Sequence, residues 1–187
     1  MTLPIKVKER LMGAPANKSI MLEVGAENCS KCVLGVLKTL TNQGYKGIFI
    51  ASSRTAPDIM NMCQRNGINQ ENMIFIDGVS EKNITYPDRV EDHSNVTYVD
   101  SLNALDRILL AINRRARDLK GEKFLMLESV SLTLVYNKKE DFEIFIHRLL
   151  TKRKKMDIDL AMVVAEKEID NDVKLVIRRL CDETVVI

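Results

Sequence analysis

The sequence is short of the features that define several large classes of protein. No run approaches the roughly 20 consecutive apolar residues needed to cross a bilayer, and the amino-terminal stretch holds no uninterrupted apolar signal segment. The chain is therefore expected in the cytoplasm, with no membrane insertion. Four cysteines in 187 residues are too few for a disulfide scaffold. Cys29 and Cys32 form one C-x-x-C pair, but no second pair and no histidine cluster completes a zinc site. The pair stays open between inert thiols, a redox-sensitive couple and half of an intermolecular metal site. The two histidines cannot by themselves assemble a hydrolytic centre. His147 lies in an amphipathic run and reads as a helix-surface residue; His93 lies beside Asp92 in an acidic stretch and reads as solvent-exposed, with a shared metal site as the alternative. A net charge of +2 is too mild for a surface built to hold a phosphate backbone. Arg114, Arg115, Arg117 and the basic run 152–155 are separated in sequence, so nucleic acid is not the expected partner.

What is present is a composition 45% apolar and 29% charged with only four prolines, enough for one substantial core and too ordered for a linker. The whole chain, 1–187, is expected to be one domain, with 1–17 as an extension and the polar stretch 79–95 as a surface excursion. Ile20, Met21, Leu22 and Val24 form a compact apolar run, as do residues 47–51, 73–76, 124–127 and 158–165. Such runs suit strands covered on both faces. Between them fall stretches of helical periodicity. Val33, Leu34, Val36, Leu37 and Leu40 make one seam; Ile59, Met60 and Cys63 make a second behind a cap at Thr55 and Asp58. Leu102, Leu105, Leu109 and Ile112 make a third, with the arginines largely on the other side. Phe142, Phe145, Ile146, Leu149 and Leu150 make a fourth, opened by a cap at Asn137 and Glu140 and ending in the basic run 152–155. Asp170 caps a last helix, and 184–187 closes the chain as a strand. Alternation of strand and helix without internal repeats predicts an α/β three-layer sandwich, a mostly parallel sheet with helices on both faces.

Two places carry candidate chemistry. The first is the stretch after the first strand: Gly25, Ala26, Glu27, Asn28, Cys29, Ser30, Lys31 and Cys32. A phosphate loop reads Gly-x-x-x-x-Gly-Lys-Ser/Thr. Gly25 and Lys31 fit that pattern, Ser30 stands at the second glycine, and Cys32 stands at the magnesium-binding hydroxyl. The second is Glu128-Ser129, where an apolar strand ends in an acid at the sheet edge on which open α/β folds place ligands. Arg54, in the turn after the second strand, could meet a phosphate or a neighbouring subunit, or stand solvated before a helix.

Together these landmarks resemble the RecA-like ATPase superfamily, and within it small archaeal proteins similar to KaiC, over residues 18–187. The resemblance implies a RecA-like sheet and a bound nucleotide, ATP or ADP with magnesium. It also implies that Lys31 is the phosphate lysine, that Cys32 stands at the hydroxyl position, and that Glu128 stands where an aspartate holds the metal. The departures have physical costs. Magnesium wants hard oxygen ligands rather than a thiol, Glu27 adds negative charge beside phosphates, and no carboxylate follows the second strand until Asp58. The resemblance thus implies a degenerate RecA/KaiC-like domain, catalytically inactive, acting as a protein-binding or regulatory module with another copy or a cytosolic protein as partner. Its alternative is an unorthodox nucleotide-binding protein or slow ATPase, with Glu128 as the candidate catalytic and metal residue. A third reading is nucleic-acid binding through the basic residues.

Overall fold

The computed structural model describes residues 17–80, 91–93 and 95–187. The expectation that 1–17 is an extension lies outside the described residues apart from Asn17, and much of 79–95 does also. Among the described residues the strands are β1 (Ser19–Val24), β2 (Lys46–Ala51), β3 (Met73–Asp77), β4 (Glu91–His93), β5 (Val96–Tyr98), β6 (Lys123–Leu127), β7 (Asp159–Ala165) and β8 (Glu183–Val186). The helices are α1 (Cys29–Asn42), α2 (Ala56–Arg65), α3 (Leu105–Ala116), α4 (Val130–Val135), α5 (Lys139–Met156) and α6 (Asn171–Leu180). They build one sheet in the order β4-β5-β3-β2-β6-β7-β1-β8. Every neighbouring pair is parallel except β4 and β5, which run antiparallel. Within the stretch expected to be a polar excursion, residues 91–93 thus form a strand. Three charged or polar residues carry no apolar signal, and only pairing with β5 makes them extended.

The apolar runs became strands because both faces of the sheet are covered. Ile20, Leu22, Val24, Phe49, Phe75, Phe124 and Met126 turn to one side, where α1 and α2 pack. Met21, Ile48, Ile50, Leu125, Leu127 and Met162 turn to the other, against α3, α4, α5 and α6. The result is a three-layer α/β sandwich. Gly47 is the second residue of β2, where a β carbon would overlap the Met73 sulfur and the Phe124 ring, so its lack of a side chain lets those two meet across the strand.

Several expected caps differ. Thr55 does cap α2, its Oγ1 accepting from the Asp58 amide at 3.3 Å and donating to Asp58 Oδ2 at 2.7 Å. Asn137 does not open α5, whose first flanking residue is Lys138. Instead its side-chain amide donates to the carbonyls of Leu102, at 2.9 Å, and Thr133, at 2.7 Å, joining α4 to the approach to α3. Leu132, Leu134 and Val135 lie in the short helix α4, and Val135 is left exposed rather than packed. Helix α3 starts at Leu105, so Leu102 of the expected seam lies before it, in a turn.

At the amino edge, Arg153 breaks from the basic run. It is buried, 1% exposed, and its guanidinium donates to the carbonyl and side chain of Asn17, to Ser19 Oγ at 3.2 Å and to Asp182 Oδ2 at 2.6 Å. Asp182 also accepts from the amide and hydroxyl of Ser19, each at 2.7 Å. Burial works against the Asp182 charge, but the two Ser19 donors and the positive charges of Arg153 and Lys154 hold its carboxyl below the usual carboxylate range. Arg153 therefore belongs to the fold rather than to a cationic surface.

Candidate functional site

The sequence-predicted groups converge at the carboxyl edge of the sheet, where β1 and β6 stand two places apart with β7 between them. Beyond Val24 the chain passes Gly25 and makes a tight 3-10 turn over Ala26–Asn28. The Asn28 amide closes it on the Gly25 carbonyl at 2.8 Å, and α1 follows directly. Gly25 has φ −57° and ψ 137°, values open to any residue, and no residue of 25–32 has a positive φ. The backbone freedom that glycine offers is therefore not used at Gly25. What Gly25 supplies is room, because a β carbon there would lie 2.8 Å from Glu27 Oε1. The Glu27 carboxylate folds back over the turn and accepts from Asn28 Nδ2 at 3.2 Å. An anion-binding nest of successive amides needs right- and left-handed residues side by side. In this turn all residues share one hand, and a carboxylate covers the glycine.

Ser30 and Lys31 are exposed on the first turn of α1, whereas Cys32 faces the core. Burial, with a further contribution from Cys29, pushes the Cys32 thiol up to about 12. It is protonated at neutral pH and offers a poor ligand to a hard cation. Cys29 is half-buried, its thiol pointing to the Gly25 carbonyl at 3.7 Å. Burial and the carboxylates of Glu168 and Glu27 raise it as well. Both thiols of the C-x-x-C pair thus sit in surroundings that disfavour the reactive thiolate.

Glu128 follows β6 and is buried, 6% exposed. Its Oε2 accepts from the amides of Ser52, at 2.8 Å, and Ser53, at 2.9 Å, while Oε1 accepts from the Ser53 hydroxyl. Ser52 Oγ accepts from the Ser129 amide at 3.0 Å, and Ser129 Oγ accepts from the Leu132 amide at 3.2 Å as the cap of α4. The acid and its following serine are thereby joined to the turn after β2. Arg54 continues from that turn and places Nη1 3.5 Å from Ser30 Oγ and 3.5 Å from Met62 Sδ. A contact path therefore runs from Glu128 through Ser53 and Arg54 to Ser30, uniting the predicted groups in one neighbourhood. Among the described residues no three histidine, cysteine, aspartate or glutamate side chains cluster as a metal site would need.

Two parts of this edge escape sequence reasoning. Asp77, fully buried at the end of β3, accepts from the Ala56 amide and the Ser80 hydroxyl on Oδ2, each at 2.7 Å. Its Oδ1 accepts from the amides of Val79 and Ser80, each at 2.9 Å. The signal was the same as for Glu128, an apolar run closed by an acid. Glu23, within β1, turns to the α6 side and pairs with Lys174 Nζ at 2.8 Å and Arg178 Nη2 at 2.6 Å. Burial raises its pKa, but the hydrogen bonds and charges of Lys174 and Arg178 outweigh that and hold it below the usual range. Lys174 and Arg178 lie one turn apart on α6, a spacing that could have suggested a shared acid. His147 is exposed on α5 as expected, and the side chain of His93 lies outside the described residues. Arg114 and Arg117 are exposed, while Arg115 lies 3.6 Å from Asp118.

Sheet order, layering and the strand-loop-helix at β1 define a RecA-like α/β fold, and the comparisons agree. The fold is similar to that of a KaiC-like protein, PH0186, from the hyperthermophilic archaeon Pyrococcus horikoshii OT3, with a TM-score of 0.66 at 15% identity over 95% of this chain and 75% of that one. It is also similar to the flagellar accessory protein FlaH from Methanocaldococcus jannaschii, with a TM-score of 0.58 at 11% identity over 97% of this chain and 76% of that one. The chain thus has a RecA/KaiC-like fold. No family model matches the sequence, and no curated protein matches it. Among the described residues no helix is long and apolar enough to cross a membrane.

Proposed function

We propose that this chain is a single RecA/KaiC-like domain in which the phosphate loop and the strand-end acid serve the fold rather than hydrolysis, and that it acts in the cytoplasm as a protein-binding or regulatory module. The observation that carries the reading is the double engagement of Glu128: both carboxylate oxygens already accept from the Ser52-Ser53 turn. Three of its roughly four acceptor sites are thereby taken, so a metal-bound water would have to compete with the Ser52-Ser53 donors that hold it. The turn over Ala26–Asn28 supports the same conclusion, because triphosphate binding would require it to unwind and Glu27 to leave. Free thiols throughout the described chain are in keeping with a reducing compartment. Exposed apolar side chains at Val135 and Tyr136, just beyond the Glu128-Ser129 clamp, give such a module contact surface. The partner is a second copy or another cytosolic protein.

One observation favours a second reading, nucleotide binding with slow turnover. Lys31 is exposed at the head of α1 with Arg54 reaching the adjacent Ser30, so two cations flank the turn. Calorimetry with ATP and magnesium at millimolar concentration separates the two. The proposal expects no saturable heat. Saturable binding abolished by Lys31→Ala, with turnover lost in Glu128→Gln, would replace it with the second reading.

A further inference from the structure

The opposite, amino edge of the molecule holds a cavity of about 460 Å³ at the carboxyl ends of α5 and α6. His147, Thr151, Lys154 and Lys155 line it, spaced so that they share one face of α5. Leu150 and Leu180 supply an apolar wall, and among the described residues no carboxylate lines the cavity. Basic side chains at a helix carboxyl end ordinarily answer the unpaired carbonyls there. Here two of those carbonyls already have donors. The Arg153 carbonyl accepts from the Ile158 amide at 3.2 Å, and the Lys154 carbonyl accepts from Asn17 Nδ2 at 3.2 Å and from the Asp157 amide at 3.4 Å. The exposed ammonium groups of Lys154 and Lys155 are therefore not what holds those two carbonyls, and Lys154 lies close enough to Asp182 to help stabilise its charge. The buried Arg153 also lines the cavity, and its Nε–H has no acceptor among the described residues.

We propose that this cavity is an anion site that takes the phosphate group of a small molecule, with Lys154 and Lys155 neutralising it and the leucines packing the remainder of the ligand. The site lies at the edge of the sheet away from Lys31, so it stands or falls independently of the nucleotide question. Two charge-assisted contacts of the ordinary strength set the scale of the test. Titration of the full chain with inorganic pyrophosphate, followed by amide chemical shifts, is expected to give saturable changes at His147, Thr151, Lys154, Lys155 and Leu180. The double variant K154A/K155A, both exposed and with Tm checked against wild type, is expected to weaken that response by about 10-fold or more. Lys31→Ala is expected to leave it intact. Three results would overturn the proposal: shifts confined to 25–32 and lost in Lys31→Ala, a non-saturating response spread over exposed lysines, or an unaltered response in the double variant.

Discussion

Glu23 and Glu128 are buried to the same degree near the same edge of one sheet, yet they are neutralised by opposite means. Glu23 is held by two cationic side chains from α6, an ion cluster that locks a helix to the strand beneath it. Glu128 is held by two amides and a hydroxyl from a neighbouring turn, with no cation among its hydrogen-bond donors. Asp77 repeats the second pattern two strands away from Glu128. A buried acid at a strand end is therefore not in itself a sign of metal chemistry. The donors around it decide whether it clamps a turn, anchors a helix or waits for a ligand.

The comparison can be broken most forcefully at Glu23. Replacement by Ala strands the Lys174 ammonium, which is mostly buried, and breaking a buried pair in this way costs about 3–5 kcal/mol. Urea denaturation should register that loss; a change under 1 kcal/mol would mean that Lys174 escapes to solvent. Glu128→Ala removes the acceptor of three donors and is expected to cost about 2–4 kcal/mol, with Glu128→Gln costing less because one oxygen remains. Were Glu128 instead a carboxylate held ready for a metal, either change would leave the apo protein as stable as wild type or more so.

Acid should weaken the two ion clusters, at Glu23 and at Asp182. Glu23 and Asp182 have folded-state pKa values below their unfolded ones, so the unfolded chain takes up protons first as pH falls. Their stabilisation is present above about pH 4 and is lost on acidification through their lowered folded values. Equilibrium unfolding between pH 6 and pH 3 is expected to show a falling stability whose slope flattens in Glu23→Gln; an unchanged slope would remove Glu23 from the account. The smallest effect is chemical. Cys32 at about 12, Cys63 at about 11 and Cys181 at about 12 should resist alkylation at pH 8 until the chain unfolds, whereas the half-buried Cys29 should be modified first. Rapid labelling of Cys32 in the native protein would show that the turn over Ala26–Asn28 opens.

Most of the layering could be read in advance because the sheet is sheathed on both sides. A strand buried on both faces leaves a continuous apolar run such as that of β6 or β7, and a helix lying on it leaves a seam. What could not be read was the disposition of polar groups. Arg153 continues the inward stripe Phe142, Ile146, Leu149 at the next helical interval, but lysines on either side disguise it as one member of a solvated charge run. Position alone placed Glu128 at the correct edge, since an acid ending a central strand must emerge there. It could not reveal that Ser52 and Ser53 would claim both oxygens, because that contact depends on how the turn after β2 folds back. Gly25 misled for a related reason. A glycine after a strand suggests unusual dihedral angles, whereas here the missing side chain makes space for a carboxylate.

The position of β1 has a consequence for biosynthesis. Among the described residues it is the first strand in chain order, yet its neighbours in the sheet are β7 and β8, the last two. As the chain leaves the ribosome, β2, β3, β5 and β6 can zip together while β1, with Lys31 behind it, has no partner to join until residues near 165 emerge. Until then the nascent chain must shelter the four apolar residues of β1, and the stretch that looks like the heart of a nucleotide site takes its place only after β7 has formed.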